Sequence, residues 1–150
     1  MEDLKRYLVE HPFLSGLSPK HIDLITGCAS NVRFDAGQYL DRAGELANRF
    51  YIIRVGKVAI EMYHPAAGAI TIQTVGEGDI VGWSFLFEPY IGHFDSRAVE
   101  LTRAIALDGL CLRRKVDDDH ELGYELYKRF AQIMEQRLEN TRLQLLDLYK

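Results

Sequence analysis

Between positions 32 and 109 apolar and polar residues alternate in short runs broken by glycine, whereas beyond position 117 the apolar spacing lengthens to threes and fours. The first region reads as strands. VRFDAGQYLDRAG, RFYIIRVGKVAIEMY and AITIQTVGEGDIVG are rich in β-branched and aromatic residues, and SRAVELT with RAIALDG forms a last strand pair. Glycines 37, 44, 56, 68, 76, 78 and 82 fall at the intervals of tight turns in an all-β barrel or double-sheet roll. Upstream, Leu4, Leu8 and Leu14 precede Ser18-Pro19, in which Ser18 can cap and Pro19 takes the first position of a short helix over 19–28. Downstream, 117–150 lacks proline and carries no glycine after Gly123, which predicts a helix of about seven turns.

That long helix carries two apolar stripes. Leu122, Leu126, Phe130 and Ile133 occupy only its first half, as suits packing on the chain's own roll. Tyr124, Tyr127, Ala131, Met134, Leu138, Thr141, Leu145 and Leu148 step 3,4,3,4 along its whole length, the pattern of a coiled-coil seam and hence of a parallel homodimer. The expected architecture is mainly β with flanking helices. It comprises one domain, helical over 1–30, a jelly-roll over 31–112 and C-terminal helices over 113–150, the last of them the dimerisation helix.

Composition narrows the function classes. With 150 residues the chain has room for one core, and 18 Lys+Arg against 22 Asp+Glu give a net charge of −4, the wrong sign for a phosphate-backbone binder. No apolar run is long enough for a signal peptide or membrane span, so a cytoplasmic protein without nucleic-acid or membrane partners is expected. Cys28 and Cys111 lie far apart without C-x-x-C spacing and read as two small buried apolar residues. His11, His21, His64, His93 and His120 show no H-x-H ligand spacing, and no nucleophile elbow, Walker loop or supported carboxylate pair is present. Neither a metal nor a catalytic site is therefore expected. The run RRKVDDDHE, 113–121, reads as an exposed connector ending in an N-cap from Asp118 or Asp119.

One segment carries a family likeness. In FDAGQYLDRAGELANRFYIIRVGKVAI, Gly37, Leu40, Gly44, Glu45, Phe50, Tyr51, Ile53, Gly56 and Val58 follow a signature of glycine turns and an aromatic Tyr-x-I strand. It resembles the cyclic-nucleotide-binding domain of catabolite-activator-type regulators, kinase regulatory subunits and gated channels. GEGDIVG, 76–82, is similar to the turn into that family's phosphate-binding cassette, and RFAQIMEQRLENT to the dimerisation helix of the bacterial activators. The resemblance implies a β-roll whose cassette holds a cyclic phosphate on backbone N–H groups and one arginine, with a glutamate on the ribose. Here Trp83 stands at the glutamate position, and Gly92 or His93 at the arginine position.

The candidate ligand residues are accordingly Gly82, Trp83 and Ser84 in the cassette, His93, Asp95, Ser96 and Arg97 on the facing wall, and Thr141 and Arg142 on the helix. Arg97 is either a displaced phosphate anchor or a surface residue paired with Asp95 or Glu100. Trp83 either plugs the pocket or stacks on a base. Thr141 either touches the base or bonds back to its own helix. No cofactor is required, and cyclic AMP or cyclic GMP is the implied effector, signalling through the dimer to a further, unidentified protein. The competing expectation is a ligand-free dimeric interaction module. A helix-turn-helix would have to follow the long helix, and the chain ends at Lys150, so no DNA-binding part is expected.

Overall fold

The computed structural model describes residues 2–149. Helix α1 (Glu2–Glu10), a 3₁₀ turn (Pro12–Leu14) and helix α2 (Pro19–Thr26) lead into eight strands: β1 (Ala29–Phe34), β2 (Tyr39–Asp41), β3 (Arg49–Val55), β4 (Val58–His64), β5 (Gly68–Val75), β6 (Ile80–Val81), β7 (Asp95–Ala98) and β8 (Thr102–Asp108). A second 3₁₀ turn (Ser84–Leu86) separates β6 from β7, and helices α3 (Gly109–Asp118) and α4 (His120–Asp147) close the chain. Ser18 caps α2 as expected, its hydroxyl accepting the His21 N–H at 3.2 Å with Pro19 at the first position.

The strands form two antiparallel four-stranded sheets, ordered β1-β8-β3-β6 and β2-β7-β4-β5, face to face as a jelly-roll. β7 and β8 are therefore not a hairpin pair. Three residues after Ala98 the chain crosses to the other sheet, and β8 takes the central place between β1 and β3. Gly56 shows why glycine is needed at one such turn: its φ is +107°, and a Cβ there would lie 2.5 Å from Thr102 Oγ1 and 2.6 Å from Leu101 O.

Two apolar clusters hold these layers. Tyr51, Ile53, Val58, Val75, Val81 and Ala104 fill the space between the sheets. The other cluster seats the helices on the outer face of the β1–β8–β3 sheet through a group of phenylalanines. Phe50 of β3 stacks on Phe85 with centroids 5.2 Å apart, and Phe130 of α4 meets both edge-on at 5.1 and 5.7 Å. Leu122, Leu126 and Phe130 are buried and Ile133 half-buried, so the short stripe of α4 packs on its own roll as its spacing predicts.

Two expectations are corrected here. Cys28 and Cys111 form a disulfide rather than two independent apolar residues. They are separated by 83 positions, but antiparallel pairing of Ala29 with Leu107 brings the end of α2 beside the start of α3, with Cα atoms 5.7 Å apart. The run 113–121 is not a connector. Residues 113–118 are the second half of α3, and Asp119 alone separates it from α4, its carboxylate accepting the Leu122 N–H at 3.1 Å.

Candidate functional site

After β6 the chain turns at Gly82, whose φ of +87° is in the left-handed region. A Cβ there would approach Asp41 Oδ2 at 3.1 Å and Arg49 O at 3.3 Å, so bare backbone is what lets this turn sit on the roll. Trp83 follows and begins the Ser84–Leu86 turn. Burial of Phe85 and Leu86 pins the turn, and Arg113 of α3 donates to Phe85 O at 2.7 Å. Trp83 is thereby held half-buried, its indole edge-on to Phe94 at 6.5 Å.

These two rings form one wall of a cavity of about 280 Å³. Ile60, Met62 and Ile72 of β4 and β5 form its floor, and Met134, Arg137, Leu138 and Thr141 of α4 close it. The helix is fastened over it by bonds to the roll. Arg137 donates to Ile80 O, Gln144 Nε2 to Ile72 O at 2.9 Å, and Tyr127 OH to Leu86 O at 3.4 Å. The long stripe of α4 is thus shared: Met134, Leu138 and Thr141 line the cavity, the last two still open to solvent, while Tyr124, Leu145 and Leu148 stand exposed away from it.

Arg137 is the charged group of this cavity. Its guanidinium lies over the Trp83 ring at 4.9 Å, and burial pulls its pKa down to about 10, with only partial relief from Asp79. Among the described residues no carboxylate lies within ion-pair distance of it. Arg137 and Gln73 also line a larger cleft of about 760 Å³ on the other side of α4, where His11, Glu77, Lys128 and Asn140 meet. His11 bridges that cleft, its Nε2 2.8 Å from Gly78 O and its Nδ1 accepting from Phe13 N at 3.0 Å.

Of the residues singled out from sequence, Trp83 and Thr141 line the cavity together. Thr141 also donates its hydroxyl to Arg137 O at 2.9 Å, so it bonds back to its own helix while lining the cavity. Gly82 and Ser84 flank Trp83 in the cassette without lining it. The facing wall departs from expectation. Arg97 does not reach the cavity, because the alternation of β7 turns it outward, where Glu61 accepts from its Nε and Nη2, each at 3.0 Å. Its partner is neither Asp95 nor Glu100. Asp95 serves the β2 turn, accepting from Ala43 N at 2.8 Å with Arg42 3.6 Å away.

Ser96 points inward and is fully buried, with no hydrogen-bond partner for its hydroxyl. His93 is exposed beside Phe94, and Arg142 is exposed one position beyond Thr141; neither lines the cavity. Arg137 and Phe94 are the lining residues that the sequence reading does not single out. Arg137 stands one helical turn before Thr141 on the same face, and Phe94 lies within the loop already singled out, so spacing could have found both. Among the described residues no group of three or more histidine, cysteine or carboxylate side chains is placed to hold a metal.

This architecture is that of a ligand-receiving β-roll, and comparison identifies its family. Residues 31–119 match the cyclic nucleotide-binding domain model, and the chain belongs to that family. It is 30% identical over 135 residues to the CRP-like cAMP-activated global transcriptional regulator of Mycobacterium tuberculosis, covering 89% of this chain and 58% of that protein. The chain thus spans somewhat more than half the length of that relative. Among solved structures it resembles a putative cyclic nucleotide-binding protein from Geobacter metallireducens, with TM-score 0.77, 23% identity and coverage of 91% and 96% of the two chains. A cyclic nucleotide-binding domain from Methylobacillus flagellatus gives TM-score 0.81 at 18% identity, covering 97% and 82%.

Proposed function

We propose that this domain is a regulatory sensor rather than an enzyme: a small anionic effector enters the cavity under α4, shifts the helix and signals through a cytoplasmic, helix-mediated homodimer to a downstream protein. The observation that carries this reading is that cassette and helix wall the same cavity, Trp83 from one side and Arg137, Leu138 and Thr141 from the other. A ligand bound there touches both elements, so its binding energy differs between two helix positions, which is what a switch requires. Family membership brings cyclic AMP and cyclic GMP forward as the first effectors to test. The exposed Tyr124, Leu145 and Leu148 supply the dimer seam.

The test is titration with cyclic AMP, cyclic GMP and small organic anions, following Trp83 emission and backbone hydrogen exchange in 134–141. A saturable change in both is expected for at least one compound. Binding that leaves exchange along α4 untouched would sink the switch. For the dimer, Leu145→Glu with Leu148→Glu is expected to give a monomer by sedimentation at micromolar concentration with helix content retained. A wild-type monomer under those conditions would remove the dimer from this reading. The second reading, a ligand-free interaction module, is favoured by Trp83, which stands edge-on to Phe94 with Arg137 over its face in the cavity wall. Silence to every compound would select it.

A further inference from the structure

The geometry points to an effector that is a small, largely apolar monoanion, with an aromatic or aliphatic body and one acidic group, in place of a cyclic nucleotide. It rests on the reading of the cavity under α4 as the effector site, and narrows it to a chemical class. The walls are mostly hydrocarbon, indole and thioether: Trp83 and Phe94 on one side, Met62 below, Met134 and Leu138 above. A ribose and cyclic phosphate carry polar atoms around most of their surface, and each one buried without a partner opposes binding. The polar side-chain groups of the lining are those of Gln73, Thr141 and Arg137 with the Trp83 indole N–H, and the Thr141 hydroxyl is already given to Arg137 O.

The cation then specifies one acidic group. Arg137 is half-buried, lies over Trp83 and, among the described residues, donates a hydrogen bond from its guanidinium to Ile80 O. Its remaining N–H donors carry no protein partner among the described residues, and a carboxylate matches their fork. One cation in a mostly apolar groove, open to solvent where Met62, Leu138 and Thr141 stand, accommodates one anionic group and a hydrophobic remainder. Size agrees, since about 280 Å³ lies at the lower edge of the range for drug-sized molecules, roughly 300–1,000 Å³. The edge-on Trp83–Phe94 pair offers an aromatic guest both a ring face and a ring edge.

Trp83 is the single tryptophan of the chain, so its emission reports this cavity alone. The experiment titrates the protein with phenylacetate, octanoate, neutral phenylacetamide and cyclic AMP, with calorimetry alongside. Phenylacetate is expected to saturate the emission change, phenylacetamide to bind about tenfold or more weaker, and Arg137→Gln to weaken phenylacetate to the level of the amide. Leu138→Phe, which fills the cavity with Arg137 intact, should abolish binding of the acid by calorimetry while the fold is retained. Cyclic AMP binding more tightly than either acid, or amide and acid binding equally, would overturn the inference and keep the cavity as an effector site. Silence with every compound would overturn both the inference and the effector reading beneath it.

Discussion

Asp41 is the residue whose chemistry is most altered by the fold. It ends β2 opposite Ser96 and against the Gly82 turn, and burial pushes its pKa up to about 7. The native state therefore holds this proton more tightly than the unfolded chain, whose carboxyl titrates near its ordinary 3.8. Stability contributed by the neutral acid is complete below about pH 4 and falls away as pH rises to about 7, a loss of order 4 kcal/mol at most. Asp41→Asn should be the more stable protein at pH 8, with the advantage fading by pH 4.5; denaturant midpoints at the two pH values check this. Steric demand at Gly56 gives a second expectation. Gly56→Ala should cost about 3 kcal/mol or more, read in the same denaturation assay, because Thr102 and the Leu101 carbonyl already occupy the space.

Positions that follow from periodicity are legible in the sequence, and those that depend on a partner from another element are not. A glycine turn marks Trp83 and a seam break marks Thr141, and both line the cavity. Arg97 was misplaced because strand alternation, not proximity in sequence, sends its side chain outward to Glu61, a partner 36 positions away. Arg137 escaped notice since a basic residue on a mixed-charge helix carries no local sign that its neighbours in space are Trp83 and the β6 carbonyl.

Among elements, the helices flanking the roll depend on contacts that no local pattern encodes. The Cys28–Cys111 bond ties α2 to α3 across 83 positions, and on a chain-entropy model such a loop is worth about 4.5 kcal/mol. Reduction, or Cys28→Ser with Cys111→Ser, should lower Tm by on the order of 10 °C, measurable by calorimetry with and without reductant. At the next junction, the Leu122 N–H, His21 and Lys20 hold the Asp119 carboxyl below its usual range. The start of α3 at Gly109 was the boundary that sequence misjudged. RRKVDDDHE has the charge of a loop, and it folds as helix because Leu112 and Val116 bury one face against the core while the charges ring the other.

At the scale of the whole molecule, the two sheets and the long helix were readable from glycine punctuation and the change of apolar period. The crossing of the chain between β7 and β8 was not, because a strand signal does not say which sheet receives it. One feature of that assembly sets its mechanical gain. A single residue, Asp119, joins α4 to a helix that is itself covalently strapped to α2, so the base of α4 is tied to the rest of the domain. The arm beyond it is 28 residues, about 42 Å at helical rise. A tilt of about 5° at that base, small enough to arise from refilling a cavity midway along the arm, carries the far tip about 3.7 Å. On the proposed switch, such a tilt has to break the Gln144–Ile72 bond, and its largest displacement falls at Leu148, just past the end of the helix.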